Sequence, residues 1–270
     1  MPENLEKVGL AVLVIFMVFA IISFYLPTVD PMYQPLYGTD PEIIGYSDPS
    51  AAHLLGTDFL GRDLFSQLCE GAYNAIRLGI VWSIMGLPLV VLAAFIMSRL
   101  RSSTPMLEDT FLNRYVRFVA FPLSMVAFLL ISSLFLGMVM GRISYLTVVL
   151  VLGLPLAFMV WLAIGHPLEK QFRNGEKISI CYLISGICLF ISSATLYSAL
   201  TGFLGLGDPA TVTWGMMIQW CFTAGYTFKA MNWLLPPIIC TYIFSRGMLV
   251  LSYGVYNAQE RKWFIKKGWL

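Results

Sequence analysis

Hydrophobic positions in this chain are gathered into long runs without charge, and polar residues crowd between the runs. The first run covers residues 8–26; at 1.5 Å per residue it reaches about 28 Å, close to the thickness of a bilayer's hydrocarbon core. Similar runs follow, at residues 78–98, 118–141, 143–165, 178–201 and 231–256. The pattern predicts an all-α integral membrane protein with six transmembrane helices.

Two apolar segments admit another interpretation. Residues 209–228 are apolar but broken by Gly215 and Gly225, so we expect a re-entrant or surface segment instead of a seventh span. Residues 8–26 resemble a signal peptide, but the run is too long for a typical signal core, and no small-residue cleavage site follows it. We therefore expect the first run to remain as an anchor.

Basic residues predict the orientation of the spans. Lys and Arg concentrate on the cytoplasmic side of membrane proteins. With the N-terminus inside, the inner segments hold twelve basic residues and the outer segments three. We therefore expect a multi-pass protein of the plasma or inner membrane, with both termini in the cytoplasm. The chain then divides into four parts. The N-terminal tail and anchor helix cover residues 1–26 and the extracytoplasmic segment covers 27–77. The five-helix core covers 78–256 and the cytoplasmic tail covers 257–270.

Composition narrows the classes of function. Charged residues make up 12% of the chain, about half the share of a soluble domain, and the net charge of +2 gives no footprint for nucleic acid. The five cysteines and two histidines have no metal-ligand spacing, and the sequence contains no phosphate-binding G-x-x-x-x-G-K-[ST] loop. We expect neither an enzyme nor a metal site, and no cofactor bound by this chain.

The outer segment ends in HLLGTDFLGRD, residues 53–63. Thr57 can cap the N-terminus of a helix, and the negative charge of Asp58 suits the positive end of the helix dipole. Arg62 lies four residues after Asp58, so the two side chains can pair on one face of a helix. An exposed pair of this kind contributes at most ~1 kcal/mol. We expect a short interfacial helix here that leads into the second span.

This stretch resembles the outer-loop signature of the permeases of dipeptide, oligopeptide and nickel ABC importers, H-x-L-G-T-D-x-L-G-R-D with a Gly-Ala pair soon after. Gly71 and Ala72 supply that pair. The matching residues of the motif include His53, Gly56, Thr57, Asp58, Gly61, Arg62 and Asp63.

A second stretch, residues 198–217, is also similar to the family. SALTGFLGLG and the later WGMM correspond to the family's S-x-L-S-F-L-G-L-G and P-x-W-G-x-M. The resemblance places Gly205, Gly207 and Trp214 at the outer mouth of the fifth span, where glycines permit turns with positive φ.

The inner half departs from the family. Its coupling motif, E-A-A-x-x-x-G, contacts the ATPase, and here the corresponding loop at residues 166–177 reads HPLEKQFRNGEK. The two end positions are kept, but Lys170 and Gln171 replace the alanines. The resemblance assigns ATPase coupling to Glu169, Lys170, Phe172, Arg173 and Gly175.

The resemblance implies a permease subunit that forms half of a transport pathway for peptides or a similar small solute. Its implied partners are a second permease, ATP-binding subunits that carry the ATP, an extracytoplasmic substrate-binding protein and the lipid bilayer. Because the coupling loop is altered, an alternative function is that of a structural subunit of a membrane complex, descended from such a permease but without ATPase coupling. A secondary transporter or channel is a third possibility, but we find no internal repeat that favours it.

Arg246 lies near the centre of the sixth predicted span. A charge there costs at least ~2.5 kcal/mol, and no Asp or Glu lies in any predicted span. Its possible partners are freed backbone carbonyls, cavity water, an acid of a partner permease or a substrate carboxylate. We expect Arg246 to face the bundle interior or the partner subunit, in the pathway or at the subunit contact.

Overall fold

The computed structural model describes residues 5–25, 45–100, 153–207 and 211–266. Within these ranges the chain is helical and has no strand beyond isolated bridges. Its helices are α1 (Leu5–Ser23), α2 (Leu64–Leu100), α3 (Gly153–Arg173), α4 (Ile180–Phe203), α5 (Trp214–Thr223) and α6 (Met231–Lys266).

Four helices of the described ranges are long and apolar enough to cross a membrane, at Glu6–Ser23, Leu64–Ile96, Ile180–Phe203 and Met231–Gln259. They coincide with the first, second, fifth and sixth predicted spans. The predicted span at residues 118–141 lies outside the described residues, as does the first part of the one at 143–165. The ten-residue α5 covers only about 15 Å, so residues 209–228 do not cross the membrane as a single helix.

The segment before the second span differs from the prediction. Residues 45–63 form turns, with isolated antiparallel bridges that link Thr57 to Ser47 and to Asp63. α2 then runs unbroken for 37 residues from Leu64. The expected interfacial helix beginning at Thr57 is therefore wrong: its sequence forms a folded turn, and the helix starts seven residues later.

α4 is the most enclosed of the long helices and contacts α2, α3, α5 and α6. Two pairs of serines join it to α6, with hydroxyl oxygens 2.8 Å apart for Ser185 and Ser252 and 3.1 Å apart for Ser192 and Ser245. The partners are seven residues apart on each helix and run in opposite order. α4 and α6 are thus antiparallel, with small polar side chains between them.

α1 packs across α6 through small residues. A Cβ added to Gly9 would lie 2.6 Å from Leu251, and one added to Gly247 would lie 2.4 Å from Val12. Further along α1, Phe16 lies against Phe244, with ring centroids 4.9 Å apart. The glycines let the two backbones approach closely, as is common between helices in membranes.

Three helices end in the same manner. Gly175, Gly205 and Gly225 each have a positive φ just after a helix. The next residue's N–H then bonds to the carbonyl five residues earlier, closing a Schellman turn. The positive φ expected near the end of the fifth span is confirmed at Gly205.

Candidate functional site

The outer motif is organised around the carboxylate of Asp58, which is fully buried. Its Oδ1 accepts the backbone N–H groups of Leu60 and Arg62, at 2.9 and 3.0 Å. Its Oδ2 accepts Arg62 Nε at 2.7 Å and Gln67 Nε2 at 3.0 Å, and Arg62 Nη2 lies 2.6 Å away. One side chain thus ties the turn to itself and to the first turn of α2.

Arg62 is equally enclosed, with 1% of its surface exposed. Its guanidinium carbon lies 4.5 Å from the ring centroid of Trp220 in α5 and 6.0 Å from that of Phe59, so both rings add cation–π attraction. Arg62 Nη1 has no hydrogen-bond partner among the described residues. The expectation of an exposed Asp58–Arg62 pair is therefore wrong, since the pair is buried between the turn and α5.

Asp63 begins α2. Its Oδ2 accepts the backbone N–H of Ser66 at 2.7 Å and the Ser66 hydroxyl at 2.8 Å, which is the bonding of a helix N-cap. Its Oδ1 lies 3.0 Å from Nδ1 of His53, and both side chains are buried. The cap predicted at Thr57 is thus supplied by Asp63, which the histidine holds in place.

Gly56, Thr57 and Gly61 set the path of the turn. Gly56 and Gly61 have φ of +82° and +79°, which side chains disfavour. A Cβ at Gly56 would also collide with the carbonyl oxygen of Ser47. The Thr57 hydroxyl donates to the carbonyl of Gly45 at 2.9 Å, so the threonine fixes the turn to the preceding segment.

The turn is attached to the start of α6 by Asn232. Its side-chain Nδ2 donates to the carbonyl of Leu55 at 2.8 Å, and its Oδ1 lies 2.8 Å from the Tyr46 hydroxyl. Burial, together with a hydrogen bond to Asp48, raises the pKa of Tyr46 above its ordinary value.

The second matching stretch meets the first at Trp214. The indole Nε1 donates to the carbonyl of Leu68 at 3.0 Å, and a Cβ at Gly71 would lie 2.5 Å from the indole ring. Gly71 therefore makes the space that Trp214 fills. Gly207 lies close to Gly202, where an added Cβ would be 3.4 Å from its Cα. The structure thus brings the outer motif and the C-terminal end of α4 into one cluster, which we call the outer cluster.

The proposed coupling residues lie at the other end of α2. Glu169 is buried and accepts a hydrogen bond from Arg173 at 2.6 Å, and the Phe172 ring packs on that of Phe95, with centroids 5.4 Å apart. Phe95 follows Leu64 by 31 residues, about 46 Å along α2. α3 continues to Arg173, so residues 166–173 are helical instead of the expected loop, and the exposed tip is residues 173–177.

Arg246 is exposed on the surface of this chain. Its guanidinium lies 5.7 Å from the ring centroid of Tyr242, one helical turn earlier. The described helices do not cover it, and the expectation that it faces the bundle interior or the partner subunit stays a prediction. A contact with solute stays a prediction too.

The sequence patterns did not predict several residues of the outer cluster. Gln67, Trp220 and Asn232 contact the motif from α2, α5 and α6. Gln67 gave a weak signal, since it is a polar residue between Leu64 and Leu68, which lie on the apolar side of the same segment. The other two lie more than 150 residues from the turn in sequence, so no local pattern connects them with it.

The arrangement defines a helical membrane protein in which a buried, ion-paired turn packs against α5 and the start of α6. No family model matches the chain. It is 27% identical to a chain named as a peptide permease in Brucella suis biovar 1, over 94% of this chain and 84% of that one. A D,D-dipeptide transport system permease of Escherichia coli K12 is 28% identical over 77% of this chain and 71% of its own length.

A di/tripeptide transport system permease of Pseudomonas aeruginosa is 30% identical over 62% of this chain and 59% of its own length. These matches confirm the resemblance drawn from the outer motif. The chain is related in sequence to the permeases of peptide transport systems, which are transport proteins and not enzymes.

Proposed function

We propose that this chain is a permease subunit of a peptide ABC importer, forming half of a transmembrane pathway for peptides or a similar small solute. The observation that carries the proposal is the outer cluster, in which two stretches resembling such permeases fold against each other through Trp214 and Gly71. The similarity to peptide-transport permeases over most of the chain supports it.

The proposal includes six spans in the inner membrane with both termini in the cytoplasm. Four apolar helices and the asymmetry of basic residues support this topology. In it, the outer cluster and the turn at residues 45–63 face the extracytoplasmic substrate-binding protein. Residues of the outer motif, with Gly205, Gly207 and Trp214, shape that surface by packing and buried pairing, without chemical catalysis.

The partners of this proposal are a second permease, the substrate-binding protein and ATP-binding subunits, on which the ATP is bound. Contact with the ATPase is assigned to Glu169, Lys170, Phe172, Arg173 and Gly175. The exposed tip after Arg173 supports this, because it follows a helix whose last turn is held by the Glu169–Arg173 pair. Glu169 and Phe172 are positioned to support that tip from beneath.

Purification of the tagged chain from its native membrane tests the assignment. We expect a second permease and ATP-binding chains in the complex, and a photo-crosslinker at Asn174 should join this chain to an ATPase. The same crosslinker at exposed Ser50, in the outer segment, should not. An intact complex in which no tip position crosslinks to an ATPase would instead identify a structural subunit without ATPase coupling.

A further inference from the structure

One face of α6 is left uncovered by the described helices. Its exposed side chains are large and apolar and recur at helical spacing, with 42–63% of their surface accessible: Leu235, Ile238, Ile239, Tyr242 and Ile243. The stripe starts near Met231, beside the outer cluster, and ends at Arg246. The next three residues are buried, and Val12 of α1 covers Gly247.

Arg246 lies deep in this helix. It follows Met231 by 15 residues and precedes Gln259, the end of the apolar stretch, by 13, distances of about 22 and 20 Å. An arginine side chain does not reach either end of such a span. Exposure to lipid at this depth is costly for a guanidinium, so a polar partner is required.

Among the residues that the structure describes, no acid pairs with Arg246. The sequence has no Asp or Glu between Asp208 and Glu260, nor anywhere in residues 118–165. Among the described acids, Asp58 and Asp63 are bound within the outer turn, Glu169 pairs with Arg173, and Glu70, near the start of α2, accepts a hydrogen bond from Asn74. The contact that the structure gives Arg246 is with the Tyr242 ring, which leaves the guanidinium's flat fork of donors free to bind a carboxylate.

We propose that Arg246 binds the carboxylate of the transported solute, a small peptide, partway through the membrane. This inference rests on the proposed permease function and names the chemical class of its ligand. A solute that enters at the outer end of α6 follows an apolar surface and meets one cation where that surface ends. Tyr242 holds the guanidinium against the helix, and a planar carboxylate fits its donors bidentately.

The test uses the whole complex in proteoliposomes with ATP and the peptide dialanine. Arg246→Met should reduce dialanine uptake at least about tenfold, as expected when a hydrogen-bonded charge is removed, with the yield of assembled complex unchanged. Arg246→Lys should retain part of the uptake, since it keeps the charge. Arg77→Met makes the same change at an exposed arginine of α2 and should leave uptake unaltered.

A second readout is the accessibility of position 246. In an Arg246→Cys variant, the water-soluble anionic reagent methanethiosulfonate ethylsulfonate should modify the new thiol faster than the chain's five native cysteines. Dialanine should slow that reaction. A thiol that the reagent does not reach would overturn the inference, because it would place the position against lipid or a packed subunit.

The remaining outcomes separate the inference from the proposed function. Uptake that Arg246→Met leaves unchanged would refute the carboxylate site alone. Loss of assembled complex in Arg246→Met would instead show that Arg246 pairs with an acid of the partner permease, and would also refute it. A parent complex that transports neither dialanine nor any other small peptide would refute the permease function, and the inference with it.

Discussion

At the residue scale, the side chains of the outer motif supply hydrogen-bond and ion-pair partners for one another. Its residues form two linked units, one in which Asp58 binds Arg62 and Gln67, and one in which His53 and Ser66 bind Asp63. Because the Asp58–Arg62 pair is removed from water, breaking it costs far more than an exposed pair would.

Replacing Asp58 by Asn should therefore destabilise the outer turn by about 3–5 kcal/mol, since it leaves the Arg62 charge buried without a counter-charge. The purified variant should lose its folded state at a lower temperature than the parent. Asp48→Asn is the matched control, because Asp48 is exposed and its side chain accepts a hydrogen bond from Tyr46. Equal melting temperatures for the two variants would show that the buried pair contributes nothing.

Gly56 gives a second prediction at this scale. Gly56→Ala should combine a disfavoured positive φ, about 1–2 kcal/mol, with a collision between the new Cβ and the Ser47 carbonyl oxygen. Gly225→Ala has a similar φ but no atom within 4 Å of its Cβ. We expect thermal denaturation to show a larger loss for Gly56→Ala. A loss no larger than that of Gly225→Ala would mean that the turn adjusts freely.

At the element scale, two pairs of serines define how α4 and α6 fit together. Hydrogen bonds between membrane helices contribute modestly, about 0.6 kcal/mol on average. Their main effect here is geometric, because the heptad spacing of Ser185 and Ser192 matches that of Ser245 and Ser252. The small side chains also allow the helices to approach closely.

The double change Ser192→Ala and Ser245→Ala should cost only about 0.6 kcal/mol, whereas Ser192→Leu should cost several times more by forcing the helices apart. Ser198→Ala is the control, since its hydroxyl bonds to Thr195 of its own helix. Chemical denaturation in mixed micelles would rank the free energies of unfolding of these variants. A Leu variant as stable as the Ala pair would show that α4 and α6 are not closely packed there.

Sequence patterns predicted which segments form long helices better than they predicted where those helices begin and end. The long apolar runs identified the four apolar helices, and the resemblance identified the outer cluster. The interfacial helix was wrong because two positive-φ glycines and the buried Asp58 carboxylate fold residues 56–62 into a turn. Asp63, which stands directly before Leu64 and three residues before Ser66, was the better cap signal.

The loop at residues 166–177 was misjudged for a related reason. Its charged residues indicated a loop, yet the helix continues to Arg173, with Glu169 buried and paired with Arg173 one turn later. The packing of Phe172 against Phe95 of α2 has no local signature in the sequence. The same applies to Trp220, which the sequence gives no reason to place on Arg62.

At the scale of the whole molecule, the outer motif and the expected coupling residues lie at opposite ends of the long helices. The turn at residues 45–63, α5 and the start of α6 gather at one end, and the tip after α3 lies at the other. The basic residues favour the cytoplasm for the end that holds this tip.

Cysteine labelling should reveal this orientation. A membrane-impermeant maleimide should modify Ser50→Cys in intact cells and Asn174→Cys only after the membrane is opened. Both positions are exposed, and the unsubstituted chain gives the background of its own cysteines. Labelling of Asn174→Cys from outside intact cells would reverse the topology.

ATP-driven peptide uptake tests the central claim most directly. The complex purified through this chain, placed in proteoliposomes with its substrate-binding protein, should accumulate labelled di- or tripeptides when ATP is supplied. Accumulation should stop when ATP is omitted or when this chain is left out of the assembly. An assembled complex that hydrolyses ATP yet moves no small peptide, or one that transports equally well without this chain, would contradict the account.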